Sequence, residues 1–119
     1  MSDVNLVVLS GRVGGIGETR EVGGDSRVLN LRLAVKGWDS KAKEEVTDWY
    51  NVTCWNYQAD YISNYQKVGN KVVVHGRLKQ RDKDVHYGET LAKPYKAFEV
   101  VANQVHGMGG PQTEEEVPF

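Results

Sequence analysis

Apolar and polar residues alternate along five stretches of the chain, at residues 4–13, 27–36, 48–56, 70–80 and 95–105. This period of two predicts half-buried β-strands. In the second stretch Leu29, Leu31, Leu33 and Val35 form one row. Asn30, Arg32, Ala34 and Lys36 form the other, and its period carries on to Trp38. In the third, Tyr50, Val52 and Cys54 oppose Trp49, Asn51, Thr53 and Trp55. In the fourth, Val72, Val74, Gly76 and Leu78 make the inner row, against Lys71, Val73, His75, Arg77, Lys79 and Arg81. Turn-forming residues separate the strands. Gly14-Gly15 and Gly23-Gly24-Asp25 follow the first, a charged loop over 39–47 follows the second, and a polar loop over 82–89 follows the fourth.

Between the third and fourth strands the period becomes helical, with Tyr57, Tyr61, Tyr65 and Val68 on one face and Ile62 beside them. Asn56 is placed to cap the start, and Gly69 to end the helix in the left-handed conformation. The tyrosines read as packing residues. The order β-β-β-α-β-β predicts an all-β domain with one helix: a five-stranded OB-fold barrel whose helix, between strands three and four, plugs one end. Strand periodicity alone leaves another small α+β sheet open.

At 119 residues the chain is one domain of ordinary size. No apolar run approaches the roughly 20 residues of a membrane span. The start, Met1-Ser2-Asp3, has no basic region, which argues against a secretory or transit peptide. Cys54 is the only cysteine, so no disulfide forms within the chain, and a reducing cytoplasm is expected. A formal net charge of −1 would not by itself suggest a nucleic-acid binder. The charge is unevenly spread, however. Residues 1–106 carry every Lys and Arg and all but three of the acids, so this body is net positive. Gly107, Gly109, Gly110 and Pro111 then introduce a tail holding Glu114, Glu115 and Glu116. The expected organisation is a barrel over 1–106 and a short flexible linker with a disordered acidic tip over 107–119. Solubility alone gives no reason for that tip to end in Val117, Pro118 and Phe119.

The rows opposite the core carry the chemistry. Trp38, Trp49 and Trp55 fall on strand faces that also hold Arg32, Lys36, Arg77, Lys79 and Arg81. One tryptophan alone would be read as a core or subunit-contact residue. Three on basic faces fit single-stranded nucleic acid, whose unpaired bases stack on rings while cations neutralise phosphates. His75, His86 and His106 have no metal-ligand spacing, and the Gly14-Gly15-Gly17 stretch lacks a P-loop lysine. Cys54 reads as a buried structural thiol. No catalytic constellation, metal site or cofactor site is expected.

The stretches VNLVVLSGRVGG, LNLRLAVKGW and TDWYNVTCWNYQADYISNYQKVGNKVVVHGRLKQR, with the ending EEEVPF, resemble the bacterial-type single-stranded DNA-binding proteins (SSB). The resemblance spans residues 4–106 and returns at the tip. It implies base stacking on Trp38, Trp49 and Trp55, a DNA path along basic positions such as Lys79 and Arg81, and a cytoplasmic, nucleoid-associated homotetramer. It also implies that the acidic tip, Glu114–Phe119, docks replication and repair proteins, with Pro118 and Phe119 at its partner-binding end. The segment RDKDVHYGE lacks the further tryptophan often found there in the family and leaves Tyr87 as its aromatic. Two other readings are a primosome-type OB-fold protein, which the acidic Pro-Phe ending argues against, and a protein–protein interaction module using the tryptophans as hot spots.

Overall fold

The structure is a computed structural model that describes residues 3–87 and 90–110, with the side chains of 82–96 outside the description. Leu29, Leu31 and Leu33 alternate with polar residues on β3 (Arg27–Asp39), and all three are fully buried. They meet Val13 of β1 (Val7–Ile16), Val52 and Cys54 of β4 (Glu44–Trp55), and Val72 and Val74 of β5 (Lys71–Tyr87). Val100, Ala102 and Val105 of β6 (Thr90–Gly109) complete the strand contribution to one core. The short β2 (Arg20–Glu21) pairs with the start of β3 outside it. The helix α1 (Tyr57–Tyr65) inserts Ala59 and Ile62 into the same core.

The strands form a ring. β1 pairs with β3, β3 with β4, β6 with β5 and β5 with β1, all antiparallel, while β4 meets β6 in parallel at Val52↔Val100 and Thr53↔Val101. This closed five-stranded barrel with its helix between β4 and β5 is the expected OB-fold. Closure requires β1 to serve two partners. A register shift between Val13 and Gly15 marks the irregularity that lets it turn from β5 to β3. Two glycines allow the tightest approaches of backbone to backbone. A Cβ on Gly11 would overlap the carbonyl oxygen of Ala34, and one on Gly76 would overlap that of Val101. The obstacle at Gly76 is backbone, which cannot rotate away as a side chain can. Gly76→Ala should therefore destabilise the barrel by about 1–3 kcal/mol, the usual cost of overpacking. The check is urea unfolding: a lower midpoint at unchanged slope is expected, and an unchanged midpoint would show that β5 and β6 have room to separate.

Several local expectations are corrected. The charged loop over 39–47 is mostly strand: β3 runs to Asp39 and β4 begins at Glu44, leaving a short turn. There Asp39 Oδ1 accepts from the backbone N–H groups of Lys41 and Ala42, at 2.9 and 3.2 Å, and Lys43 has φ 55°. The segment 82–89 likewise belongs largely to a hairpin, since β5 and β6 stay paired out to Tyr87↔Thr90. Leu78, expected inside, is exposed where β5 leaves the barrel; its backbone N–H and C=O both bond to the Asn5 amide. Gly14 and Gly15 lie within β1, not in a turn.

The helix also differs from its reading. Tyr57, Tyr65 and Val68 are exposed, and the buried face is Ala59 and Ile62 with Tyr61 packed partly buried beside them. Asn56 gives no side-chain cap; its Oδ1 accepts from the Arg27 N–H at 2.9 Å, tying the helix start to β3. The same junction carries a two-bonded ion pair from Arg27 to Asp60, at 3.0 and 2.7 Å. The helix ends at Tyr65, and Gly69, with φ 96°, serves the following turn, where its N–H donates to the Val13 carbonyl. Cys54 is buried as expected, and burial pushes its thiol up to about 12.

Candidate nucleic-acid interface

The register of β3 against β4 fixes what their outer face presents. Directly opposed residues share a face. Ala34 lies opposite Trp49, Arg32 opposite Asn51, Asn30 opposite Thr53, and Val28 opposite Trp55. Farther out, Lys36 opposes Thr47 and Trp38 opposes Glu45. All three tryptophans therefore stand on one continuous ribbon. At about 3.4 Å per residue, Trp38 lies roughly 14 Å from Trp49 along it, and Trp49 roughly 20 Å from Trp55. The extended hairpin is what carries Trp38 beyond the barrel.

The rings are not equivalent. Trp38 is 68% exposed, Trp49 52% and Trp55 40%. Trp49 lies against Gly14 of β1, whose missing Cβ leaves the space for its six-membered ring. The guanidinium carbon of Arg32 sits 4.7 Å from the centre of the Trp49 ring, a cation–π contact that occupies one ring face. Trp55 borders a depression of about 270 Å³ that also touches Asn30, Thr53, Arg77, Lys79, Arg81 and Glu99. The β3–β4 face and the outer row of β5 thus converge at Trp55, across β6.

The five cations also divide. Lys36 Nζ lies 3.4 Å from Glu45, and the Arg81 guanidinium lies 3.3 Å from Glu99 Oε2. Arg32 is engaged with Trp49. Arg77 and Lys79 are exposed and form no salt bridge among the described residues. Glu99, 15% exposed in its side chain, also accepts a 2.7 Å bond from the Thr53 hydroxyl. A second depression, of about 280 Å³, shares Asn30, Thr53, Arg81 and Glu99 with the first and extends to Asn51 and Phe98.

Every tryptophan and cation singled out from the sequence lies on this outer surface. Sequence reading missed Glu99 and Phe98 at the groove and Gly14 beneath Trp49. A glycine two residues before a register-shifted strand end gives only a weak signal, and a carboxylate among expected phosphate contacts gives none. His75 and His106, far apart in sequence, meet edge to face with ring centres 5.8 Å apart. Among the described residues no group of three His, Cys, Asp or Glu could hold a metal ion. The side chains of Tyr87 and His86 and the tip Glu114–Phe119 lie outside the described residues.

An OB-fold barrel bearing an aromatic and cationic outer face is the class of domain these features define. The profile of the single-strand binding protein family matches residues 4–108, and the chain belongs to that family. Single-stranded DNA-binding protein 1 of Chlorobaculum tepidum is 35% identical over 109 residues, covering 89% of this chain and 65% of that protein. The single-stranded DNA-binding protein of Neisseria meningitidis serogroup A is 29% identical over 110 residues, covering 90% and 61%. The chain thus spans slightly less than two thirds of these relatives' length. Among solved structures, the Plasmodium falciparum SSB complex with ssDNA superposes with a TM-score of 0.71 at 24% identity, covering 92% of this chain and 96% of that one. That likeness supports the fold. Among the described residues no helix is long and apolar enough to cross a membrane.

Proposed function

We propose that this protein binds single-stranded DNA without strong sequence preference and acts as a binding protein, not an enzyme. The observation that carries the reading is the convergence of Trp38, Trp49 and Trp55 on one outer face that reaches the exposed cations Arg77 and Lys79, which form no salt bridge among the described residues. Rings of this kind stack on any base, because every base has a flat face. Membership of the family supports roles in DNA replication, recombination and repair, assembly as a homotetramer, and a cytoplasmic, nucleoid-associated location. The acidic tip, Glu114–Phe119, recruits other genome-maintenance proteins.

Equilibrium titration of a labelled oligo-dT beside a duplex of equal length tests the reading. Tight binding of the single strand alone is expected; equal binding to both, or to neither, would sink it. Repeating the titration over a salt series tests the charges. Affinity should fall with salt at a log–log slope of about −0.7 for each phosphate neutralised on a single strand. Arg77→Ala and Lys79→Ala should each make the slope shallower by about 0.7. Lys36→Ala and Arg81→Ala should change it less, because each of these cations is already neutralised by a carboxylate and so displaces fewer counterions from phosphate. Unaltered slopes in the Arg77 and Lys79 variants would place those two residues outside the DNA path.

A further inference from the structure

Arg12 and Lys71 are cations that the tryptophan face leaves unassigned, yet they continue one of its rows. Arg12 of β1 pairs with Ala34 of β3 on one side and with Lys71 of β5 on the other, and Ala34 pairs with Trp49. Directly opposed residues share a face. The chain neighbours Val13, Leu33 and Val72 are buried in the core, so Arg12, Ala34 and Lys71 stand on the outer face with Trp49. Neighbouring strands lie about 4.8 Å apart, which places Lys71 roughly 14 Å from Trp49 across the sheet. The Trp49 ring spans part of that interval, because it lies against Gly14, two residues beyond Arg12 on β1.

Ala34, with its small side chain, leaves the middle of the row low. A depression of about 230 Å³ opens there, lined by Ser10, Gly11, Arg12, Ala34, Lys36 and Lys71. Its charge differs from that of the depressions across the ribbon. Those include Glu99, whereas this one holds three cations and no carboxylate among the described lining residues. A concave surface of one sign draws the opposite charge, here an anion. Arg12 Nη1 donates to the carbonyl oxygens of Gly69 and Gly110, at 3.2 and 3.0 Å, bonds that aim the guanidinium and bring no charge of their own. Lys71 is exposed and forms no salt bridge among the described residues. Lys36 lies 3.4 Å from Glu45, but both side chains are well exposed, and a solvated pair of this kind exchanges readily for another anion. The Ser10 hydroxyl adds a neutral donor.

Two anions can come to this place. Gly110 touches Arg12, and the first tip carboxylate, Glu114, follows it by four residues, which span up to about 14 Å of chain. A phosphodiester of single-stranded DNA is the better match. The tip acids supply charge alone, whereas a strand supplies a phosphate to the cations and a base to the ring of the same row.

We infer that the depression at Arg12, Lys36 and Lys71 is a phosphate subsite, through which a strand stacked on Trp49 crosses β3 and β1 to reach β5. This rests on the single-stranded DNA reading above. Binding of oligo-dT to the full-length protein is read first, and its failure would overturn that reading itself. Lysine acetylation with and without saturating oligo-dT, mapped by mass spectrometry, then reports on Lys71 directly. It is run on the full-length protein and on protein lacking Glu114–Phe119. Oligo-dT should protect Lys71 in both. In salt-series titrations Lys71→Ala should make the log–log slope shallower by about 0.7, while Lys71→Arg keeps the wild-type slope. Full reactivity of Lys71 at saturation, an unchanged slope in Lys71→Ala, or a slope in Lys71→Arg as shallow as in Lys71→Ala would each overturn the subsite. So would a Lys71 that is protected in the full-length protein before DNA is added and gains no protection from oligo-dT in the truncated one, because the pocket would then belong to the acidic tip. Should a variant fail to fold, acetylation of the unaltered protein still decides.

Discussion

Replacing Trp38, Trp49 and Trp55 together by alanine is expected to remove oligo-dT binding at concentrations that saturate the unaltered protein. Each base–ring stack contributes about 1–3 kcal/mol, so losing three leaves charge attraction alone. The single variants should not be equal. Trp55 borders the groove that contains Arg77 and Lys79, so a base stacked there is held beside its neutralised phosphates, and Trp55→Ala should be the most damaging. Trp38 is the most open ring, but its cross-strand neighbour Glu45 and nearby Lys36 cancel each other's charge, so its loss should cost less. Trp49 already carries the Arg32 guanidinium on one face. A base there must displace Arg32 or stack outside it, and Trp49→Ala also uncovers the Gly14 backbone. Its binding effect should be the smallest of the three and its stability effect the largest. Tryptophan emission during titration gives an independent readout, with strong quenching expected on saturation. Full affinity in the triple variant, with emission unchanged in the parent protein, would reassign the tryptophans to packing or protein contacts.

The strands with two differently coloured faces were the legible part of this chain. On β3 and β4 the alternation of leucines and valines with polar residues fixes which side is buried, and the opposite side then holds the three tryptophans. The barrel order followed from the single helical interval between the third and fourth strands. The illegible parts share a physical cause. Where β3 and β4 run past the core, neither face is buried, so alternation disappears and charged strand looks like charged loop. That cost the hairpin carrying Trp38 its strand assignment. The partners of Arg81 and Lys36 depend on the register within the β5–β6 and β3–β4 hairpins, which no single-strand pattern contains. Phe98 occupies the same alternating row as Val100 and Ala102, and only the departure of β6 from the barrel exposes it. In α1 the tyrosine spacing suggested the buried face, yet of the tyrosines named only Tyr61 packs, partly buried, against the core beside Ala59 and Ile62.

Removal of Glu114–Phe119 should abolish recovery of replication and repair proteins from a cell extract while leaving oligo-dT affinity unchanged or slightly raised. The signs follow from charge. Glu114, Glu115 and Glu116 repel phosphate and cannot contribute favourably to a DNA contact, but they would be attracted to the exposed cations of an empty groove. A short tether keeps their effective concentration there high. DNA must then displace them, so deletion strengthens binding most at low ionic strength, where screening is weakest. Once displaced, the tip would be free to dock the partners proposed above. Phe119→Ala separates the two roles, because it keeps every carboxylate and removes only the ring. It should reproduce most of the loss of partners with none of the gain in DNA affinity. Reversing the three charges, by Glu114→Lys, Glu115→Lys and Glu116→Lys, should have the opposite profile on DNA, with binding tightened at low salt and the advantage lost as salt rises. The comparison uses full-length, truncated and Phe119→Ala proteins in parallel pull-downs and oligo-dT titrations. If truncation destroys DNA binding, the tip is part of the groove's function. If all three proteins recover the same partners, the ending Val117-Pro118-Phe119 is not a docking peptide and the acids act only on solubility.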